Sequence, residues 1–169
     1  MEELSSARIS REKGLACDFR GKPGRRQITI LAREGWEEAC RETGNDLSWT
    51  IRRANLFVTG ISLQGKVGFK LRIGRAAVRI TGETSPCQRM EDACSGLMAA
   101  LKPKWRGGVT AYVVKDGDVW VGCEVVLSRN VLSQYSVIAC ERMRRTLKRI
   151  RKAAGKAARR FGILRPQGA

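Results

Sequence analysis

TGETSPCQRMEDAC, residues 81–94, is the stretch where the chain changes its hydrophobic period. Before it, residues 67–73 and 76–81 are short runs rich in Val, Ile and Ala, separated by Gly74-Arg75, the pattern of a β-hairpin. After it, Cys87, Met90, Cys94, Leu97, Met98 and Leu101 recur at threes and fours, which predicts one apolar stripe on a helix over residues 88–101. Ser85 suits the N-cap and Pro86 the first helical position, where a missing N–H costs nothing. Cys87 then falls in the first turn, where backbone N–H groups point outward and the helix dipole is positive. Arg89 adds positive charge, whereas Glu83, Glu91 and Asp92 oppose it. Two readings of Cys87 stand: a sulfur nucleophile or soft metal ligand at a helix mouth, or a small apolar side chain at the edge of the core. Met90 and Cys94 read as core.

Working outward, residues 27–31 (QITIL) predict a strand, and residues 34–43 a helix with Trp36, Ala39 and Cys40 on one face and Gly44 as its stop. Residues 49–58 mix apolar and basic side chains. Read as extended, they put Arg52 and Arg53 on opposite faces, so only one of the two enters a cavity. Residues 109–114 and 119–127 flank Asp116-Gly117, which predicts a second hairpin. Residues 1–14 are polar and read as loose, with a strand starting near Ala7. Five or six short strands with two or three helices predict an α+β or small-barrel domain, mainly β.

The chain has 169 residues, enough for one domain with an appendage. Its 33 Lys and Arg against 16 Asp and Glu give a net charge of +17. Residues 141–169 hold 11 basic residues and one acid, so +10 sits there and +7 elsewhere. There is no histidine, which excludes Ser-His-Asp and Cys-His catalysis within the chain. Six cysteines show no C-x-x-C pair, so neither zinc nor haem is expected and the thiols read as reduced, as in a cytoplasmic protein. No run is long enough to span a membrane, and the first residues lack the apolar core of a signal peptide.

Several blocks resemble one family in order and spacing: GKPGRRQITIL (residues 21–31), WTIRRANLFVTGI (49–61), GETSPCQRM (82–90), KPKWRGGVTAYVV (102–114) and DGDVWVGCEVVL (116–127). Together they are similar to the MOSC domain, found at the C-terminus of molybdenum cofactor sulfurases and as small free-standing bacterial proteins. The resemblance covers roughly residues 8–127. It implies a β-barrel-like fold with peripheral helices. It also implies that Cys87, the cysteine of the Pro-Cys pair, is the functional residue, as a sulfur carrier or a molybdenum ligand. Asp18 matches the family's loop aspartate, and Cys17 stands where many relatives have glycine. The Arg-x-Asn block that borders the cofactor pocket falls on Arg53 and Asn55, with Arg52 the weaker candidate.

A basic, glycine-containing loop is suited to phosphate, because backbone N–H groups approach closely and the side chains supply charge. With the molybdenum cofactor that the resemblance implies, Lys22, Arg25, Arg26, Arg53 and Arg106 are the expected binding residues for its phosphate, and the resemblance adds Asn55 to the pocket. A redox role would need an electron partner, and sulfur carriage a sulfur donor. The tail is separate. Leu132, Tyr135, Ala139, Met143, Thr146, Ile150, Ala154, Ala157 and Phe161 predict a long amphipathic helix, basic on its other face. The predicted division is residues 1–128 as the MOSC-like domain and 129–169 as a basic helical extension. That helix would pack on the barrel or form a homodimer, bind nucleic acid, or lie on an anionic membrane. Nucleic-acid binding through this tail is the alternative function for the chain.

Overall fold

The computed structural model describes residues 2–18 and 21–129. The first strand, β1 (Ser6–Ser10), and β2 (Gly14–Leu15) form a tight antiparallel pair. Residues 6–15 are thus more regular than the polarity of the first residues predicts, because Ile9 is fully buried and anchors the pair. β3 (Ile28–Ala32) leads directly into α1 (Arg33–Thr43), which ends at Gly44 in the left-handed conformation. A short 3-10 turn, Trp49–Arg52, precedes β4 (Leu56–Val58). β5 (Lys70–Ile73) and β6 (Ala76–Glu83) make the expected hairpin, with Ile73 opposite Ala76. Two short helices follow, α2 (Gln88–Ala93) and α3 (Leu97–Ala100), then β7 (Val109–Lys115), β8 (Gly117–Trp120) and β9 (Val125–Ser128).

The strands form a six-stranded sheet in the order β4-β3-β7-β6-β5-β9 and a three-stranded sheet in the order β2-β1-β8. Only the β3–β4 pair in the larger sheet is parallel. The fold is mainly β, and the larger sheet curls into a half barrel. Alternation along β3 divides the interior in two. Ile28 and Ile30 enter the barrel core with Leu71, Val78, Ile80 and Val109. Leu31, on the opposite face, packs with Trp36, Ala39, Met90, Leu97 and Leu101 in a second core beneath the helices. Each fully buried Leu or Ile contributes about 1.5–3 kcal/mol.

Three expectations from the sequence are corrected. Residues 109–127 do not form a hairpin. β7 is bonded on both sides, to β3 and β6, so β8 crosses to the other sheet and pairs with β1, while β9 pairs with β5. Gly117 makes that corner: a Cβ there would lie 2.4 Å from the Arg75 carbonyl carbon. Residues 49–58 are not extended throughout. The Ser48 side chain accepts the Thr50 N–H and starts the 3-10 turn, which Arg53 closes at φ +57°. Finally, the helix over residues 88–101 is broken. Cys94 is extended and Gly96 left-handed between α2 and α3, and Glu91 accepts the Gly96 N–H at 2.8 Å and the Met98 N–H at 3.3 Å. Capping by Glu91 substitutes for the hydrogen bonds lost at the break. The tail predicted over residues 131–161 lies outside the described residues. Among the described residues no helix is long and apolar enough to cross a membrane.

Candidate functional site

The segment after β6 carries the candidate nucleophile. Thr84 is buried, and its N–H donates to the Gly108 carbonyl at 2.9 Å. Ser85 and Pro86 follow without capping a helix. Cys87 itself is the N-cap of α2, with extended backbone (φ −125°, ψ 172°), and its side chain is exposed. Sequence reasoning placed it in the first turn of the helix; the observed start leaves the thiol free of the apolar stripe, of which Met90, Leu97 and Leu101 are the buried members.

Arg52 holds this segment. Its Nε donates to the Gly107 carbonyl at 2.9 Å, and one terminal nitrogen to the Thr84 carbonyl at 2.9 Å and the Ser85 carbonyl at 3.4 Å. The guanidinium thus joins the Cys87 segment to the turn before β7. Burial pushes its pKa down from the ordinary arginine value; the neighbouring Cys87 sulfur acts in the opposite direction, and Arg26 reinforces the lowering. A guanidinium stays charged through such a shift. Gly107 allows the close approach, since a Cβ there would lie 2.6 Å from the Thr84 carbonyl oxygen.

A cavity of about 190 Å³ opens here, with Cys87, Thr84, Arg26, Arg52, Arg53 and Arg89 among its walls. No carboxylate is among the described residues that line it. Thr84 Oγ1 is buried and has no hydrogen-bond partner. Four cations and an unanswered hydroxyl beside an exposed thiol suit an anion that presents hydrogen-bond acceptors. The cavity is below the ~300–1,000 Å³ of typical small-molecule pockets, so it takes a small anion whole or one end of a larger ligand. Cys40 offers a contrast. It lines a larger groove of about 740 Å³ beside α1, near the stacked rings of Trp49 and Phe57, but burial pushes its thiol pKa up.

Of the residues expected from sequence, Cys87, Arg26 and Arg53 meet at the cavity. Asn55 stands behind it. Its Oδ1 accepts from Thr29 N–H at 2.9 Å and from Thr29 Oγ1 at 2.8 Å, and its Nδ2 donates to Asp18 at 2.6 Å. Lys22 and Arg25 are exposed on the adjoining loop, where Arg25 donates to the Thr81 carbonyl and accepts from Thr81 Oγ1. Arg106 is directed elsewhere: it is buried and bonded to Glu38, Glu42 and the Ala100 carbonyl. Arg52, placed second to Arg53 by the resemblance, is the better connected of the two. Ser48 three residues before Ile51 was the available signal of a turn, and the Gly107-Gly108 pair the signal of close packing. Among the described residues, no group of three or more His, Cys, Asp or Glu side chains is placed to hold a metal ion.

The sequence matches the MOSC domain over residues 18–126. The chain belongs to the MOSC domain family. The fold agrees with solved structures. YuaD from Bacillus subtilis superposes with a TM-score of 0.64 at 20% identity, covering 76% of this chain and 88% of YuaD. YiiM from Geobacillus stearothermophilus gives 0.60 at 15%, covering 75% and 62%. YiiM from Escherichia coli gives 0.59 at 19%, covering 75% and 63%. The chain therefore spans about three-fifths of either YiiM protein. A search of curated proteins finds no match. The matched MOSC region runs from Asp18, at the loop that meets Asn55, to Val126 in β9, and so contains the whole Cys87 cavity.

Proposed function

We propose that Cys87 is the working thiol of this MOSC domain, and that it carries sulfur as a persulfide or ligates molybdenum in the molybdenum cofactor. One observation supports this reading above the others: the thiol is exposed at a cavity with four guanidinium groups and no acid among its described walls. The residues fit the cofactor's chemistry at two points. A thiolate is a soft ligand suited to molybdenum, and Arg26 and Arg53 would hold a phosphate, with Lys22 and Arg25 extending the basic rim. The unpartnered Thr84 Oγ1 offers one further hydrogen bond to such a group. When bound, the cofactor would supply two-electron redox chemistry. Electrons would then come from a partner protein, as the sequence contains no Cys₄ iron–sulfur spacing and no Gly-x-Gly-x-x-Gly fingerprint.

The residues of the chain itself have definable work in either case. Arg52 ties the backbone just before the thiol to the Gly107 turn, the other arginines draw an anion to it, and Asn55 pins the Thr29 strand to the Asp18 loop. The test is intact-mass analysis and molybdenum content of anaerobically purified protein beside Cys87→Ala. An adduct of one sulfur atom, lost in the variant, identifies a carrier; bound molybdenum, lost in the variant, identifies a cofactor protein. Neither adduct nor metal, with Cys87 unreactive to alkylation, would refute the proposal.

A further inference from the structure

The cavity at Cys87 is notable for what can enter it. Arg26, Arg53 and Arg89 are exposed cations on three different segments: the loop before β3, the turn before β4, and α2. Arg52 adds a fourth charge, partly buried and desolvated. Thr84 is more than nine-tenths buried, lines the cavity and leaves its hydroxyl unanswered. The volume, about 190 Å³, admits an anion of a few heavy atoms together with some water. A zwitterionic or cationic donor would bring an ammonium group against four guanidiniums, which like-charge repulsion disfavours.

We propose that the sulfur delivered to Cys87 arrives on a small sulfur-bearing oxyanion of the thiosulfate type. This rests on the reading of Cys87 as a sulfur carrier. The Cys87 thiolate attacks the terminal sulfur of the dianion. A new S–S bond forms at Cys87, the S–S bond of the donor breaks, and its electron pair leaves on sulfite. The protein becomes a persulfide anion, the thiol proton having gone to water, and charge and atoms balance without an external oxidant or reductant. The guanidiniums neutralise the donor on entry and the sulfite on departure, and the Thr84 hydroxyl donates to one of its oxygens.

The test uses the full chain, reduced to remove any adduct. Thiosulfate and, separately, cysteine persulfide are offered, and the mass of Cys87 and the sulfite released are measured. Iodoacetate and iodoacetamide then probe the same thiol with and without a negative charge. The expected result is one sulfur on Cys87 and one sulfite released per thiosulfate consumed. The ratio of iodoacetate to iodoacetamide rates should exceed that of a free cysteine peptide by on the order of tenfold. Arg26→Gln with Arg89→Gln, both at exposed positions, should lower thiosulfate loading and that ratio about tenfold while leaving the melting temperature near that of the parent. Loading by cysteine persulfide but not thiosulfate would overturn the donor class and leave Cys87 a carrier. A rate ratio equal to that of the free peptide would overturn it as well. Failure of both donors to load Cys87 would overturn this inference and the carrier reading together.

Discussion

Cys17 adopts φ +66°, a left-handed backbone that favours glycine, the residue the family resemblance leads one to expect there. The loop therefore has a glycine-like shape at Cys17, and Asp18 meets Asn55. Relief of a non-glycine side chain in this region is worth about 1 kcal/mol, partly offset by the greater freedom of unfolded glycine. Cys17→Gly should accordingly stabilise the domain by roughly 0.5 kcal/mol, seen as a higher urea midpoint with unchanged slope. Arg52 gives the opposite case. Its bonds to the Gly107 and Thr84 carbonyls satisfy groups that would otherwise lack partners. Arg52→Met should cost on the order of 2–3 kcal/mol, and Arg52→Lys should recover less than half, because an ammonium cannot reproduce the fork. Equilibrium unfolding measures the loss. A Cys87 alkylation rate that changes in both variants, under conditions where each is folded, would separate positioning of the thiol from stability alone.

At the scale of elements, strands and helices were legible wherever local pattern and final environment agree. β3, α1 and the β5–β6 hairpin follow from β-branched runs, an amphipathic stripe and a Gly-Arg turn. The missed features depend on distant partners. No local signal reveals that both edges of β7 are occupied, so Asp116-Gly117 read as a hairpin turn when it is a sheet-to-sheet corner. The candidate site shows the same division: Cys87 was legible from Pro-Cys and the block resemblance, but Arg52 was obscured by a 3-10 turn within an apparent strand. The link from α1 to the turn before β7 was also unseen. Arg106 bonds Glu38 and Glu42, and the bond from Arg106 holds the Glu38 carboxyl below its ordinary pKa of 4.5. A lowered folded pKa means that the unfolded chain binds more protons between the folded value and 4.5, so this contribution is complete above pH 4.5 and fades as pH falls through the folded value. Glu38→Gln should flatten the acid limb of the stability profile while changing Cys87 alkylation little. Urea midpoints between about pH 3 and 7 would show it.

At the scale of the whole chain, charge is unevenly divided along the sequence. Residues 1–129 carry +7 and residues 130–169 carry +10, together the +17 of the full sequence. Residues 141–169 have 11 basic side chains and one aromatic, Phe161, so any affinity for a polyanion would rest on neutralised phosphates rather than on stacked bases. Such binding weakens steeply with salt, with a slope of about −0.9 per phosphate neutralised on duplex DNA. The cavity at Cys87 has its own positive field but admits only small groups, and its arginines come from three segments of the MOSC unit. The two basic regions should therefore separate on cutting. A chain ending at residue 129 should retain the iodoacetate preference of Cys87 and lose most of the duplex affinity, with a shallower salt slope than the full chain. Cys87→Ala in the full chain should keep duplex binding unchanged. Fluorescence anisotropy with labelled duplex across a salt series, run beside alkylation of Cys87, would measure both. Equal salt slopes for the full and shortened chains would place polyanion binding on the MOSC surface, and the alternative function expected of the tail would fall.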